Sequence, residues 1–414
     1  MNVHFIGIEG VSMKTLAEIV KADGHVVTGS DVNLYGHNAN NVKNADLVVY
    51  SSAIKYDNVE LIYAKRHNIK TVTRAQFLHD ISTHYSSVVA VAGCHGKTTT
   101  STMLASIFEP DCPTLHIGAK IPYSTIGKKN IFITEACEYQ RNFLTLRPHV
   151  GVITNVDFDH PDSYKSLDDT INAFSSFCSN CKTCLINADD KNSLSLTCKE
   201  NVITYGTCSN ADFIAKNYVK TDTGCVYNLF YKDLFLTKIT LNEHGEHNFY
   251  NSLSASAGAF CLGVGARQVQ DGLLNFKNAN RRNEKIGKVK NCDVFSDYAH
   301  HPKEIKSEIS LLKEKYSKVA VVFQPHTFSR TKALFKDFIS AFSLADKVYF
   351  IPTYASREKG IDDGILAKHV PYSIFVDGEL SLLLMREIQD FDALCFMGAG
   401  DIDNIARLFC TDVG

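Results

Sequence analysis

A glycine-rich segment with one lysine and several threonines could bind a nucleoside triphosphate. Residues 93–100 read Gly-Cys-His-Gly-Lys-Thr-Thr-Thr and follow an apolar run at residues 88–92, which predicts a strand. A loop leading from a strand into a helix lets backbone N–H groups approach phosphate oxygens, a lysine reaches the terminal phosphates, and a hydroxyl can ligate Mg²⁺. Val91 stands where the general motif has glycine, so an ordinary turn with a surface lysine remains the alternative. The predicted nucleotide contacts are Gly93, Cys94, His95, Gly96, Lys97, Thr98 and Thr99.

Acidic and imidazole side chains follow two further predicted strands, at residues 131–134 and 150–154. In an open parallel sheet the carboxyl ends of the strands lie on one side, so these side chains should meet the glycine loop. Carboxylates suit Mg²⁺ and an imidazole can complete a second cation site. Each acid taken alone is more often a solvated or capping residue. The residues are Glu135, Glu138, Asn155, Asp157, Asp159 and His160.

Two asparagines could address an adenine edge. Asn248 and Asn251 are three residues apart, close to a predicted helix at residues 252–262, and would share a helical face. The alternative is that Asn248 only caps this helix.

The first 85 residues predict a Rossmann-type unit that could bind a nucleotide sugar. Strands are expected at residues 3–8, 25–28 and 46–50, with a helix at 12–22. An acid about twenty residues after the first glycine turn is available to a ribose. Glu9 sits where a third glycine would help, and an acid beside a diphosphate is unfavourable unless it points away. The predicted ligand-facing residues are Gly7, Gly10, Ser12, Ser30, Asp31, Ser51 and Ser52.

A third α/β pattern begins near Arg281, with strands expected at residues 293–296, 319–323, 348–351 and 393–396. Residues 297–302 read Asp-Tyr-Ala-His-His-Pro, and the proline is well placed to start a helix. The histidine pair predicts a site, although a solvated turn is the alternative. Further candidate side chains after these strands are His326, Arg330 and Tyr354.

The length and composition of the chain limit the classes of protein to which it can belong. The chain has 414 residues, 45% hydrophobic and 21% charged, with a net charge of -2. This length predicts two to four domains, and the charge gives no reason to expect nucleic acid or an anionic membrane surface. No apolar run approaches the length of a membrane span, and the N-terminus does not read as a signal peptide. We therefore expect no membrane insertion and a cytoplasmic location.

The 13 cysteines predict reduced thiols and no disulfide framework, because they are scattered over a long chain. Cys178, Cys181 and Cys184 have a spacing that some iron–sulfur proteins share. They straddle the end of a predicted helix at residues 170–177 and the start of a predicted strand at 183–187. We expect them to be packing residues that bind no metal.

Seven motifs occur in the order in which they occur in Mur ligases, the ATP-dependent amide-forming enzymes of peptidoglycan precursor synthesis. The resemblance covers nearly the whole chain. The motifs are the glycine-rich loop, Glu135 to Glu138, Thr154-Asn155 with Asp159-His160, His247-Asn248 with Asn251, Arg281-Arg282, residues 297–302, and Phe323-Gln324-Pro325-His326. Departures from the family's usual residues are Glu9 for Gly, Cys94 for Thr, Cys137 for Asp and Asn283 for Phe.

The resemblance implies three α/β domains: a Rossmann-like domain for a UDP-sugar at residues 1–85, a P-loop ATPase domain at 86–280 and a Rossmann-like amino-acid domain at 281–414. It implies cofactors ATP and Mg²⁺, with one or two ions. The γ-phosphoryl group would pass to the lactyl carboxylate of UDP-N-acetylmuramate, and the amine of L-alanine would displace phosphate from the acyl phosphate. Such enzymes serve cell wall biogenesis, and so cell shape and division. A monomer or weak homodimer is expected.

The resemblance also implies residue roles. Lys97 would neutralise the transferring phosphoryl group, with Mg²⁺ held by Thr98 and Glu135 and a second cation by His160. Adenine would contact Asn248 and Asn251, and Arg282 and Asp297 would also meet the nucleotide. Candidates for the amino-acid side are His300, His326, Arg330 and Tyr354, with Lys97, Glu135, His160 and His300 expected to be catalytic.

Three alternatives remain open from the sequence. A Rossmann oxidoreductase would explain the first unit but leaves the lysine loop without a role. A relative that has lost catalysis would explain Glu9, Cys94 and Cys137. Within the family, a ligase that recycles murein peptides joins a peptide to the same sugar nucleotide.

Overall fold

The computed structural model describes residues 1–32, 34, 36–198, 201–356, 358–360, 362 and 364–413. The chain divides into two compact units. The first contains Met1–Phe158 and Ser166–Ala279, and the second contains Asp159–Lys165 and Asn280–Gly414. A segment with a predicted cation ligand, His160, therefore belongs with the C-terminal part of the chain.

The first unit begins with a four-stranded parallel sheet in the order β2-β1-β3-β4. Its strands are β1 (Asn2–Ile6), β2 (Val26–Ser30), β3 (Leu47–Tyr50) and β4 (Lys70–Thr73). Its helices are α1 (Val11–Ala22), α2 (Val59–Arg66) and α3 (Arg74–Ser82). The predicted Rossmann-like order of strands and helices is confirmed, with β1 ending two residues before the expected end.

A nine-stranded sheet fills the rest of the first unit, in the order β13-β12-β11-β10-β9-β8-β5-β7-β6. The strands are β5 (Ser87–Ala92), β6 (Thr114–His116), β7 (Ile131–Glu135), β8 (Val150–Ile153), β9 (Thr183–Asn187), β10 (Val202–Gly206), β11 (Phe213–Thr221), β12 (Gly224–Tyr231) and β13 (Leu234–Leu241). The helices are α4 (Lys97–Ile107), α5 (Leu167–Asn180), α6 (Glu246–Cys261) and α7 (Ala266–Leu274). The last three strands pair antiparallel, whereas β5 to β10 pair in parallel, so the strand ends with the predicted site residues share one edge.

The second unit is built on a six-stranded sheet in the order β14-β15-β19-β16-β17-β18, parallel except for β14. The strands are β14 (Glu284–Val289), β15 (Cys292–Asp297), β16 (Val319–Phe323), β17 (Lys347–Phe350), β18 (Ser373–Phe375) and β19 (Ala393–Met397). The helices are α8 (Pro302–Lys315), α9 (Phe328–Ala333), α10 (Phe335–Ala341), α11 (Leu380–Glu387) and α12 (Ile402–Val413). Pro302 opens α8, and His301 caps that helix with a capping box.

Two helices begin earlier than predicted. Helix α5 starts at Leu167 because the hydroxyl of Ser166 accepts the N–H of Asp169. Helix α6 starts at Glu246 after Gly245, six residues before the expected start. Asn248 therefore lies inside the helix, and the interpretation of Asn248 as its cap is wrong.

The prediction of reduced thiols is wrong for one pair: Cys178 in α5 and Cys198 form a disulfide. Cys184 is buried and Cys181 is half-buried, with its thiol donating to the carbonyl of Phe177 at 3.2 Å. Within the described part of the chain, these cysteines do not gather into a group that could hold a metal ion. No described helix is long and apolar enough to span a membrane.

Candidate active site

The glycine-rich loop joins β5 to α4 and depends on two glycines with positive φ. Gly93 has φ 141° and Gly96 has φ 79°, values that disfavour residues with a Cβ. A Cβ at Gly93 would collide with the hydroxyl of Thr154, and one at Gly96 with the side-chain oxygen of Asn251. The loop therefore takes its predicted shape only with glycine at both positions.

Thr154 and Asn155, at the end of β8, hold this loop. The side chain of Asn155 accepts the N–H of His95 at 2.9 Å and donates to its C=O at 2.9 Å, as a paired backbone would. The Thr154 hydroxyl donates to the same carbonyl at 2.5 Å. Asn155 follows a strand as expected, and Thr154, predicted as the last residue of that strand, lies directly after it. The polar atoms of both side chains hold the loop.

Lys97 is the first residue of α4, and its side chain folds over the loop. Its Nζ donates to the C=O of Gly93 at 2.6 Å and to that of Cys94 at 3.3 Å, and pairs with the carboxylate of Glu138 at 2.9 Å. Burial by itself would lower the pKa of Lys97, but its interactions with Glu138, Cys137 and Cys94 together outweigh burial and raise the pKa above its usual value. The ammonium group is therefore held charged at the edge where β5 and β7 end.

Cys94 and His95 contact Asp157, which follows β8. The Cys94 thiol donates to the C=O of Asp157 at 3.1 Å and accepts its N–H at 3.1 Å. The His95 ring lies 3.4 Å from the Asp157 carboxylate. The thiol of Cys94 therefore joins the glycine-rich loop to the backbone of Asp157 through two hydrogen bonds.

Thr98 and Glu135 offer hard oxygen donors in the first unit. Glu135 is the last residue of β7, and one carboxylate oxygen accepts the N–H of Gly118 at 3.0 Å. Thr98 is in the first turn of α4 and is largely buried, as is Thr99. A hydroxyl and a carboxylate are oxygen ligands of the kind that Mg²⁺ prefers, so the donor set fits the predicted ion.

Asn248 and Asn251 lie beneath the glycine-rich loop, in α6. Both are buried, and the amide of Asn251 donates to the side-chain oxygen of Asn248 at 3.4 Å. Asn251 also accepts from the hydroxyl of Thr100 at 3.3 Å, while Asn248 donates to the C=O of His244 at 2.8 Å. The structure assigns each amide a protein partner; the predicted adenine contacts stay predictions.

The ends of β1, β2 and β3 bring most predicted sugar-nucleotide residues to one edge. Gly7 turns there with φ 85°, and a Cβ on it would press on the hydroxyl of Ser51. Asp31 accepts the N–H of Glu9 at 3.2 Å. Gly10 precedes α1, which contains Ser12, and Ser52 is exposed.

The side chains of Ser30 and Glu9 both have protein partners near this edge. Ser30 is fully buried and donates its hydroxyl to Glu60 at 2.6 Å, so it lies beneath this edge and its side chain does not face a ligand. The Glu9 carboxylate pairs with Lys14 at 2.8 Å. An exposed pair of this kind adds little stability, but it partly neutralises the acid next to the predicted diphosphate site.

In the second unit, Arg330 pairs with Asp159, and both side chains are buried. The Arg330 Nε lies 3.0 Å from Asp159 Oδ1. Burial alone would raise the pKa of the Asp159 carboxyl, but the neighbouring charges of His160 and Arg330 hold it far below its usual value. The guanidinium also reaches the Nδ1 atoms of His326 at 3.3 Å and His160 at 3.4 Å. Arg330 therefore binds the motif that carries the predicted cation ligand.

Three rings stand beside this pair. The rings of His300 and His326 meet edge to face with centroids 5.9 Å apart, and His326 stacks on Tyr354 at 5.7 Å. Burial, reinforced by the charge of Arg330, lowers the pKa of His326 to about 4, and burial lowers that of His300 to about 3. Both imidazoles are therefore neutral near pH 7.

Asp297 and Arg282 lie at the start of the second unit. The Asp297 carboxylate accepts the N–H groups of Asn283 and Ala299, each at 2.7 Å, and burial raises its pKa. The guanidinium of Arg282 lies over the ring of Tyr298 at 5.3 Å. Asp297 thus shapes its own loop, and its predicted contact with the nucleotide stays a prediction.

Two polar residues at strand ends of the first unit, Arg74 and His116, were not among the predicted site residues. Arg74 is the first residue of α3, directly after β4, and His116 ends β6. Both lie at carboxyl ends of strands, so the rule that identified Glu135 applies to them. The strands that carry them are only four and three residues long, too short for a clear apolar pattern.

Comparison with known proteins gives consistent results along the chain. The model of the Mur ligase family catalytic domain matches residues 2–86, the Mur ligase middle domain matches 91–259, and the Mur ligase glutamate ligase domain matches 281–400. The UDP-N-acetylmuramate–L-alanine ligase of Clostridium acetobutylicum is 39% identical over an alignment of 449 positions, gaps included, which covers 99% of this chain and 97% of that protein. The protein of the same name from Clostridium novyi is 37% identical, with the same coverage.

Two solved structures share the fold over the whole chain. The UDP-N-acetylmuramate-alanine ligase of Thermotoga maritima has a TM-score of 0.82 at 24% identity, covering 100% of this chain and 99% of that one. A murein peptide ligase of Psychrobacter arcticus has a TM-score of 0.78 at 23% identity with the same coverage. The predicted fold class is confirmed.

Proposed function

This chain belongs to the Mur ligase family, and on that premise we propose that it joins L-alanine to the lactyl carboxylate of UDP-N-acetylmuramate with hydrolysis of ATP. The products are UDP-N-acetylmuramoyl-L-alanine, ADP and phosphate. The observation that carries the choice of amine is the 39% identity, over 99% of the chain, to a UDP-N-acetylmuramate–L-alanine ligase. The geometry of the glycine-rich loop supports the ATP half of the reaction.

Transfer of the γ-phosphoryl group to a carboxylate needs positioning and charge neutralisation more than covalent help. Lys97 is suited to this task because its ammonium is fixed over the loop and kept charged by Glu138. The backbone N–H groups at residues 96–98, where the loop enters α4, are the phosphate contacts in this proposal, since those of Cys94 and His95 donate to Asn155. Asn251 and Thr154 support the loop from below.

Mg²⁺ would be held by Thr98 and Glu135, and when bound it supplies further positive charge to the phosphates. His160 is the proposed ligand for a second ion. The ring of His160 lies beside the buried ion pair, with Nδ1 3.4 Å from Nη2 of Arg330 and Nε2 3.7 Å from Oδ2 of Asp159.

The amine half of the reaction is proposed for the second unit. His326, Arg330 and Tyr354 are the candidates that contact L-alanine, and His300 adds a neutral imidazole beside them. The amine displaces phosphate from the acyl phosphate through a tetrahedral intermediate. A neutral imidazole is able to accept the proton that the attacking amine must lose.

Three further expectations belong to this proposal. The functional domains are residues 1–85, 86–280 and 281–414, although the first two share one compact unit. The reaction takes place in the cytoplasm, and the chain acts as a monomer or weak homodimer.

A murein-peptide ligase is the second candidate, supported by the full-length structural similarity to the Psychrobacter arcticus protein. Phosphate release from ATP with UDP-N-acetylmuramate and a panel of amino acids and murein peptides distinguishes the two. We expect release that needs both the sugar nucleotide and L-alanine. Release with a peptide but not with L-alanine would favour the second candidate, and no release with any amine would contradict both.

A further inference from the structure

A chain of hydrogen bonds joins α1, β6 and β7 in the first unit. The Ser12 hydroxyl lies 2.8 Å from Nε2 of His116, and the Nδ1 of that ring lies 2.9 Å from the hydroxyl of Thr134. At the other end, Nη1 of Arg74 donates to Ser12 Oγ at 3.1 Å. His116 and Thr134 are both buried, and nothing proposed above gives either of them a role.

Both ring nitrogens of His116 have a partner in this chain of hydrogen bonds. Burial, followed by the charge of Arg74, lowers the pKa of His116 to about 3, so the ring is neutral and has one N–H. The Thr134 hydroxyl donates its proton to the C=O of Glu135 at 3.1 Å. Whichever nitrogen carries the N–H, Nε2 contacts Ser12 and Nδ1 contacts Thr134.

The consequence falls on Ser12 and Arg74. The Ser12 hydroxyl has two protein partners, the ring of His116 and the guanidinium of Arg74. It accepts from the guanidinium and so holds that charged group beside the first turn of α1. The remaining N–H groups of a guanidinium suit the oxygens of a phosphate or carboxylate.

The charge of Arg74 also acts on Cys137. Burial and the charge of Glu138 raise the pKa of the Cys137 thiol, and the charges of Arg74 and Lys97 act against this rise. Cys137 precedes Glu138, the partner of Lys97. The charge of Arg74 therefore acts both at the first turn of α1 and on the segment that carries Glu138.

We propose that His116 is a positioning residue for the sugar nucleotide: by orienting the Ser12 hydroxyl, it holds Arg74 where the guanidinium receives an anionic group of that substrate. This inference rests on the proposed function, because it takes a UDP-sugar as the ligand of the first sheet. It also ties this substrate to β7, which carries Glu135.

The test compares His116→Phe with His149→Phe. His149 also accepts a hydrogen bond, from the N–H of Val88 at 3.1 Å, but it precedes β8 at the end of the sheet opposite the loop. We expect His116→Phe to raise KM for UDP-N-acetylmuramate roughly tenfold, the scale of one lost hydrogen bond to a charged group, with KM for ATP nearly unchanged. His149→Phe should leave both KM values unchanged. Equal KM values for the sugar nucleotide in the two variants would overturn the proposal.

Ser12→Ala and the double variant provide a second readout, which also covers the case in which His116→Phe fails to fold. Ser12→Ala alone should raise the same KM. Both substitutions break the same hydrogen bond, between Ser12 and His116. The KM of the double variant for the sugar nucleotide should therefore be no higher than that of either single variant, whereas two independent structural defects would have additive effects. His116→Gln, which keeps an acceptor atom, should recover part of the loss. Additive effects of the two substitutions, or an unchanged KM in Ser12→Ala, would contradict the proposed role of this chain of hydrogen bonds.

Calorimetric binding of UDP-N-acetylmuramate separates this inference from the proposed function. If the wild-type chain binds the sugar nucleotide but releases no phosphate with any amine, the ligase proposal fails, and the Kd values of the variants still test His116. If the wild type is an active ligase and His116→Phe binds normally, the positioning role alone is wrong. No binding by the wild type would overturn both.

Discussion

Arg330 and Asp159 form a buried ion pair in the second unit, with 3.0 Å between Nε and Oδ1. They are separated by 171 residues in the sequence, and both side chains are at most 5% exposed. The pair joins the segment at residues 159–165 to α9, and it brings the guanidinium within reach of His160 and His326. Arg330 thereby has a structural partner in addition to its proposed substrate.

The first prediction concerns the stability that this pair confers. Arg330→Ala leaves the Asp159 carboxylate buried without its guanidinium, so the second unit should lose about 3–5 kcal/mol of unfolding free energy. Urea unfolding followed by near-UV circular dichroism measures this loss. The signal comes from tyrosine and phenylalanine, because the chain has no tryptophan. The matched control is Arg407→Ala, because Arg407 pairs with Asp403 and Glu284 at an exposed surface and should cost within about 1 kcal/mol. A loss in Arg330→Ala no larger than in this control would contradict the buried pair.

The second prediction concerns the amine substrate. In the folded fraction of Arg330→Ala, KM for L-alanine should rise strongly while KM for ATP stays nearly unchanged, since the lost contact is to one substrate. Hydroxylamine trapping with UDP-N-acetylmuramate and ATP alone should still give hydroxamate. Equal weakening of ATP and L-alanine would move Arg330 out of the amino-acid site.

The third prediction concerns Lys97. Lys97→Ala should lower kcat by at least about a hundredfold, the scale seen when one preorganised charge contact is removed. Lys129→Ala is the control, since Lys129 pairs with Asp23 at the surface and should leave kcat unchanged. Thermal unfolding of both variants checks the fold, because Lys97 also pairs with the buried Glu138. Near-normal turnover in Lys97→Ala would reject the P-loop assignment.

The fourth prediction follows from the neutral imidazoles of the second unit. The pKa of His326 is lowered from 6.5 to about 4 and that of His300 to about 3. Between these values and 6.5 the unfolded chain binds protons that the folded rings do not, so stability should fall as the pH drops from about 6.5 to 4. The loss of stability over this pH range should be smaller in His326→Gln. In His67→Gln, which replaces an exposed histidine, it should be as large as in the wild type. Urea midpoints measured from pH 7 to pH 4 test this, and the same slope in all three proteins would contradict it.

The fifth prediction concerns the cysteines. The purified chain should contain no stoichiometric zinc or iron, because Cys178 is joined to Cys198 and Cys184 is buried in packing. Elemental analysis measures the metal content directly. Alkylation of the denatured, unreduced chain should label eleven of the 13 cysteines, since the other two are joined in the disulfide. One metal per chain that disappears in Cys181→Ser would prove the packing interpretation wrong.

The sequence by itself determined the strands that carry most of the site residues, the glycine-rich loop and the side chains that follow those strands, whereas β4, β6, β10 to β14 and β18 were not predicted. These are local properties: apolar runs predict strands, Gly93 and Gly96 permit a backbone that other residues disfavour, and a parallel sheet gathers strand ends at one edge. For the same reason, β16 and β9 have the predicted bounds.

Only the tertiary structure decided the partners of these side chains. Asp159 pairs with Arg330, Ser30 donates to Glu60, Asn251 supports Gly96, and Cys178 joins Cys198. Each contact links residues far apart in the chain, and neither periodicity nor spacing within a motif encodes such a distance. Whether a polar group faces a ligand or a protein atom depends on which elements pack against it, and burial then fixes its charge.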